Sequence, residues 1–126
     1  MDTNALNAAL VALLAKKHEL HQLAYSDARY DDMEEELHDL EDDFNEEYGE
    51  YLEKALEKVH GDLSSDTDVL LPTAYLPNNP QPVAEDGVWV DSEKYPGKQV
   101  RLVLLPNPTR LVLNTGKGQQ HELWKA

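Results

Sequence analysis

Apolar residues recur along the first sixty positions at helical spacing, and after Ser64 the rhythm changes. From Leu6 a stripe runs through Leu10, Leu13, Lys17, Leu20 and Ala24, roughly a heptad-like repeat. Thr3 or Asn4 suits an N-cap, so the pattern predicts a first helix from about Ala5 to Tyr25. Val11, Leu14 and several alanines broaden the stripe until the first three turns are apolar almost all round. Such a helix is expected to be buried on more than one side, by its own chain and by the β region or a second subunit.

A second stripe appears at Met33, Leu37, Leu40, Phe44, Tyr48 and Tyr51. No proline interrupts residues 5 to 60, and the first glycine is Gly49, so one continuous helix has to be considered. Phase decides against it. At about 100° per residue, Leu37 lies about 140° around the axis from Leu6, and Leu40 and Phe44 about 160°. A single rod would carry two stripes on opposite sides, whereas a turn near Ser26–Tyr30 lets them face each other. Asp31 followed by Glu34 offers a capping-box-like start for the second helix, with a carboxylate in place of the hydroxyl. The expected αα-hairpin sets Leu20 against Leu37, Leu13 against Phe44, Leu10 against Tyr48 and Leu6 against Tyr51. Lys17 falls near Leu40, within reach of Glu36 or Glu41. The second helix overruns the first, sends Leu52, Leu56 and Val59 towards the C-terminal half, and stops at His60-Gly61-Asp62, with Gly61 in the left-handed position.

Beyond Ser64–Ser65 come short β-branched and leucine-rich runs punctuated by proline and glycine. A strand interrupted by Pro72 is expected within Asp68–Leu76, then a loop over Pro77–Asp86 and a short strand at Gly87–Asp91. Tyr95-Pro96-Gly97-Lys98 fits a type II turn. Gln99–Leu105 and Thr109–Asn114 form a hairpin around Pro106-Asn107-Pro108. Thr115–Gly118 is a further turn, and Gln119–Trp124 a last strand. Turns this short impose antiparallel pairing. The predicted class is α+β: an acidic helical hairpin over residues 1–62, then an antiparallel sheet of four to five strands over residues 63–126, folding as one unit. Apolar side chains on both faces of the central strands predict that one face meets the helices and the other a subunit or a covering loop.

Composition adds one feature to this picture. The stretch Asp27–Glu53 holds fourteen carboxylates and one cation, Arg29, so it carries nearly all of the net charge of −14. An acidic protein of this kind is not expected to bind nucleic acid or an anionic membrane. Without cysteines there is no disulfide, thiolate metal site or cysteine nucleophile. The apolar run Ala5–Ala15 is far too short to span a bilayer. It is preceded by Asp2 and followed by Lys16 and Lys17, the reverse of a signal peptide, so a cytoplasmic location is expected.

Asp31, Asp32, Glu35, Asp39, Asp42, Asp43 and Glu46 are the candidate contact residues, because they crowd the outer face of the second helix. Seven carboxylate pairs stand four apart, from Asp31–Glu35 to Glu46–Glu50, and together oppose the helix by about 1.5–3.5 kcal/mol at low salt. A basic partner or divalent cations along the face would relieve that repulsion; a solvated face that keeps the protein soluble is the competing explanation. Glu35-x-x-His38 has the spacing used in diiron bundles, but Glu35 lies about 160° from Leu37 and points outward. His21 with Glu34 and His38 is the alternative metal set, and no other cofactor is expected. Ser92 beside Asp91 lacks a nucleophile elbow, and Asn114–Gly118 lacks the first glycine and the final hydroxyl of a phosphate loop. Trp89, Trp124, Tyr75 and Tyr95 are expected to pack in the core.

The order of elements over the first 60 residues, a helical hairpin with acids near its tip and then a β-rich half, resembles the Gre transcript-cleavage factors. In that family tip carboxylates help hold a metal in the polymerase active site, so the resemblance implies that role for Asp31, Asp32, Glu34 and Glu35. The β half carries no matching motif, and this hairpin is shorter. Three functions are therefore weighed: a self-associating, non-enzymatic module showing its acidic face to a basic protein, a Gre-like transcription-associated factor, and a metal-binding helical dimer. The first is the expectation.

Overall fold

The computed structural model, described over residues 1–65, 67–78, 86–95, 100–115 and 119–126, places helix α1 at Thr3–His21 and helix α2 at Tyr30–Asp62. A one-turn 3-10 helix comes next at Pro72–Tyr75, then strands β1 (Val88–Val90), β2 (Val100–Leu105), β3 (Arg110–Asn114) and β4 (Gln120–Lys125). The chain reverses between the helices, so the phase argument holds. The details differ from expectation at both ends of α1. The N-cap of α1 is Asp2, whose carboxylate accepts from the N–H groups of Asn4 at 3.1 Å and Ala5 at 3.0 Å. α1 stops at His21 rather than Tyr25, because the connection needs residues 22–29 for its own turns: the Leu23 N–H bonds Leu20 O and the Asp27 N–H bonds Ala24 O.

Asp27, not Asp31, organises the entry to α2. Its carboxylate accepts from the Arg29 N–H at 2.9 Å, and its carbonyl accepts from the Tyr30 N–H at 3.0 Å. Asp31 already lies in the first helical turn, and the N-cap position, Arg29, makes no side-chain cap, so the expected capping box does not form. At 33 residues α2 is ~50 Å long, and it overruns the 19-residue α1. It ends in a Schellman motif: the Ser65 N–H bonds His60 O and the Ser64 N–H bonds Gly61 O, both at 3.0 Å. The left-handed residue is Ser64, at φ 51°, and Gly61 stays inside the helix, so the expected stop at the glycine is corrected.

The hairpin closes as its two stripes require. Leu6, Leu10, Leu13, Leu20, Leu37, Phe44 and Tyr48 are buried, and Leu52, Leu56 and Val59 on the overrun are buried with the sheet in the same cluster. α1 is not covered all round, however: Val11 remains 40% exposed, and Ala8, Ala12 and Ala15 are open.

No strand forms within Asp68–Leu76. Pro72 instead opens the 3-10 turn, with the Ala74 N–H on Leu71 O; proline supplies the helical φ and has no N–H to give a ladder. Among the described residues the sheet has four strands in the order β1-β2-β3-β4, each antiparallel to its neighbour. A bulge at Leu123 breaks the β3–β4 register, since Leu111 faces Trp124 while Val112 faces Glu122. Gly87 precedes β1 at φ +95°, and a Cβ there would lie 2.5 Å from the Leu102 carbonyl oxygen, so the position requires glycine. The expected turns over residues 96–98 and 116–118, and most of the loop at residues 79–85, lie outside the described residues.

Alternation along β2 and β3 separates two apolar groups. Leu102, Leu104, Leu111 and Leu113 join the helices in one core, while Val103, Leu105 and Val112 form a smaller buried cluster on the reverse face. Polar contacts fix the hairpin on the C-terminal half, through the β2–β3 turn and the 3-10 turn. Asn7 of α1 accepts from the Asn107 N–H at 2.7 Å and donates to the Asn107 side chain at 3.1 Å. Asn45 donates to Thr73 Oγ1 at 3.1 Å, and the Tyr51 and Trp124 rings meet edge-on at 5.8 Å.

Beneath the 3-10 turn, buried His60 and Tyr75 form a hydrogen-bonded chain. His60 Nδ1 lies 3.0 Å from Thr67 O, so it must donate, and Nε2 accepts from the Tyr75 hydroxyl at 3.2 Å. That hydroxyl accepts in turn from the Leu70 N–H at 3.1 Å. Tyr75→Phe strands a buried acceptor and a backbone donor, so denaturant unfolding should show a loss of about 1–3 kcal/mol. A change within about 0.5 kcal/mol, the size of a neutral surface substitution, would contradict this assignment.

Candidate functional site

The acidic face is built by α2 alone. Its 33 residues contain fifteen carboxylates and two lysines, Lys54 and Lys58. Because the stripe Leu37–Phe44–Tyr48–Leu52 is committed to the core, the intervening acids have nowhere to go but outward. Asp31, Asp32, Glu35, Asp39, Asp42, Asp43 and Glu46 are all exposed. The helix N-terminus favours the first of them electrostatically; those from Asp39 onward lie beyond its reach.

Cations barely enter this field. Among the described residues the ion pairs are Lys16 with Glu36 at 3.1 Å, Lys16 with Glu19 at 3.4 Å, and Arg29 with Asp27 at 3.1 Å. Thus Lys16, not Lys17, reaches across the hairpin to Glu36. That hydrogen bond raises the Lys16 ammonium above its ordinary value, and the Arg29 guanidinium holds the Asp27 carboxyl below its own. The seven contact candidates take part in none of these pairs. Asp43, Glu46 and Glu47 line a surface depression of about 420 Å³.

Lys17 has a different fate. It is half-buried, and burial lowers its pKa while the carboxylates of Glu41 and Asp86 pull the other way. Asp86 is itself buried and accepts from the Asn78 N–H at 3.2 Å.

The metal candidates are not gathered into a chelating group. His21 and His38 are exposed and Glu34 half-buried, and no three His, Asp or Glu side chains among the described residues are placed to hold an ion. Glu35 is exposed, as its angular position requires. Asp31, Asp32, Glu34 and Glu35 come directly after the turn, where Tyr25 and Tyr30 rings meet at 5.0 Å. Ser92 braces a loop: its hydroxyl donates to Leu63 O at 2.6 Å and accepts from the Lys94 N–H at 3.2 Å. Of the four aromatics, Tyr75 is fully buried and Trp124 and Tyr95 pack partly buried on the core, but Trp89 is 47% exposed.

Comparison with protein-family models, curated proteins and solved structures finds no match.

Sequence reasoning placed Leu40 in the buried stripe, whereas it is 37% exposed at the mouth of a cleft between the helices. The alanines opposite it, Ala9 and Ala12, were the available signal: small residues leave room where leucine would fill it.

For Lys17 the sign of the pH dependence comes from burial. The folded chain releases its proton at lower pH than the unfolded chain, so between the lowered folded value and the ordinary 10.5 the unfolded state binds more protons. Wild-type stability should therefore rise with pH in that window relative to Lys17→Met, which lacks the group. Paired urea titrations from neutral pH up to 10.5 read this directly, and a constant difference between the two proteins would refute it.

Proposed function

We propose that the protein is a non-enzymatic interaction module that sets the outer face of α2 against a basic surface of a partner protein, and that it pairs with a second copy of itself. The observation that carries the first half is the state of seven carboxylates: Asp31, Asp32, Glu35, Asp39, Asp42, Asp43 and Glu46 are exposed and outside every ion pair among the described residues. Like charges held one helical turn apart repel, and a cationic surface removes that repulsion while gaining its own attraction. The contact is consequently salt-sensitive and fast to form.

Self-association is supported by α1. Ala8, Val11 and Ala15 are exposed on it, away from the cleft towards α2, and no acid occurs between Thr3 and His18. Two chains of charge −14 can meet along that surface without apposing carboxylates.

The quadruple variant Asp39→Asn, Glu41→Gln, Asp42→Asn, Asp43→Asn tests the reading. Basic proteins captured from cell extract by the wild type at low salt should be lost with the variant, and sedimentation equilibrium should give a dimer for both. Capture of the same proteins by the variant would remove the acidic face from the account. A monomer at every concentration would remove the second copy.

A further inference from the structure

We propose that the cleft between α1 and α2, floored by Ala9, Ala12, Leu13 and Phe44, walled by Asp43 and Glu47 and with Leu40 at its mouth, anchors the basic partner by one apolar side chain. The partner segment is a cationic amphipathic helix carrying a leucine-like residue one turn from lysine or arginine. This inference rests on the acidic-face reading and names the point at which that face is specific.

Three features of the cleft select this occupant. Its volume, about 120 Å³, suits one side chain and no larger ligand. Its floor is apolar, and Leu40, which should close it, stands 37% exposed at the mouth. Its wall is charged: Asp43 and Glu47 are exposed carboxylates four residues apart, outside every ion pair among the described residues. Both also line the depression shared with Glu46, so apolar floor and negative surface are continuous. Residues four apart on a helix stand about 5–6 Å from each other, which matches the spacing of two cations on one face of a partner helix. The chemistry required is that of helix-in-groove recognition, in which apolar anchors set specificity and surrounding charges set the approach.

Tyr48 also lines the cleft and is buried; burial first, then the Glu47 and Asp2 carboxylates, push its phenol pKa up. Among the residues lining the cleft none is a lysine, arginine or histidine, so no positive charge of its own competes with the partner's.

Fluorescence anisotropy on the full chain tests the inference with two labelled probes. One is a short helical lysine–leucine peptide; the other is a lysine–glutamine peptide of equal length and charge. The leucine peptide should bind about tenfold or more tightly, as burial of one leucine side chain implies. Ala12→Leu fills the cleft and Leu40→Gln makes its mouth polar; Ala12 is exposed and Leu40 is 37% exposed, and a thermal melt of each variant confirms that it is folded at the assay temperature. In each, the preference should fall to about twofold or less. Equal affinities for the two peptides in the wild type, or a preference that survives both substitutions, would overturn the cleft and leave the acidic face standing. Binding of neither peptide to the wild type would overturn both.

Discussion

The seam between α1 and α2 is the interaction on which the other features depend. Leu6, Leu10, Leu13 and Leu20 on one helix and Leu37, Phe44 and Tyr48 on the other are withdrawn from water together. Each buried leucine contributes about 1.5–3 kcal/mol, so two of them outweigh the whole repulsion of about 1.5–3.5 kcal/mol among the outer carboxylates. The helix therefore tolerates a charge density that would unravel it in isolation. Rotation of α2 by a third of a turn would bury acids, at a cost several-fold greater. The position of the negative face is a consequence of the seam.

The sheet holds the hairpin from the other side. α2 overruns α1, and its last three turns supply Leu52, Leu56 and Val59 to the core containing Leu102, Leu104, Leu111 and Leu113. Apolar burial is non-directional, and the polar bonds of Asn7 with Asn107, Asn45 with Thr73 and His60 with Tyr75 fix one arrangement among those it permits. Helices and sheet share a single cluster, which makes the acidic face a rigid surface and not a solvated arm.

The hairpin was legible in the chain because helical phase is a local property that survives without knowledge of contacts. The same is true of the β2–β3 hairpin around Pro106–Pro108 and of the outward position of Glu35. What escaped was set by tertiary context. Pro72 could not say whether it bent a strand or opened a 3-10 turn, since that choice depends on Tyr75 reaching His60. Gly61 looked like the helix stop, but Ser64 takes the left-handed position once Leu63 is drawn into the core. Lys16 and Lys17 are neighbours in sequence with opposite fates, one pairing across the surface and one half-buried beside Glu41 and Asp86. The open cleft at Leu40 depends on small residues of the opposite helix, so its stripe position alone did not reveal it.

Spin labels at the exposed positions Ala5 and Asp43 give the most direct test, by double electron–electron resonance on labelled full chain diluted with unlabelled protein so that only distances within one chain are read. Helices packed side by side have axes about 8–10 Å apart, so with the reach of the labels the account predicts one distance population below about 25 Å. An unbroken rod would separate the two positions by about 57 Å at 1.5 Å per residue. A population centred there would contradict the seam and the face it exposes.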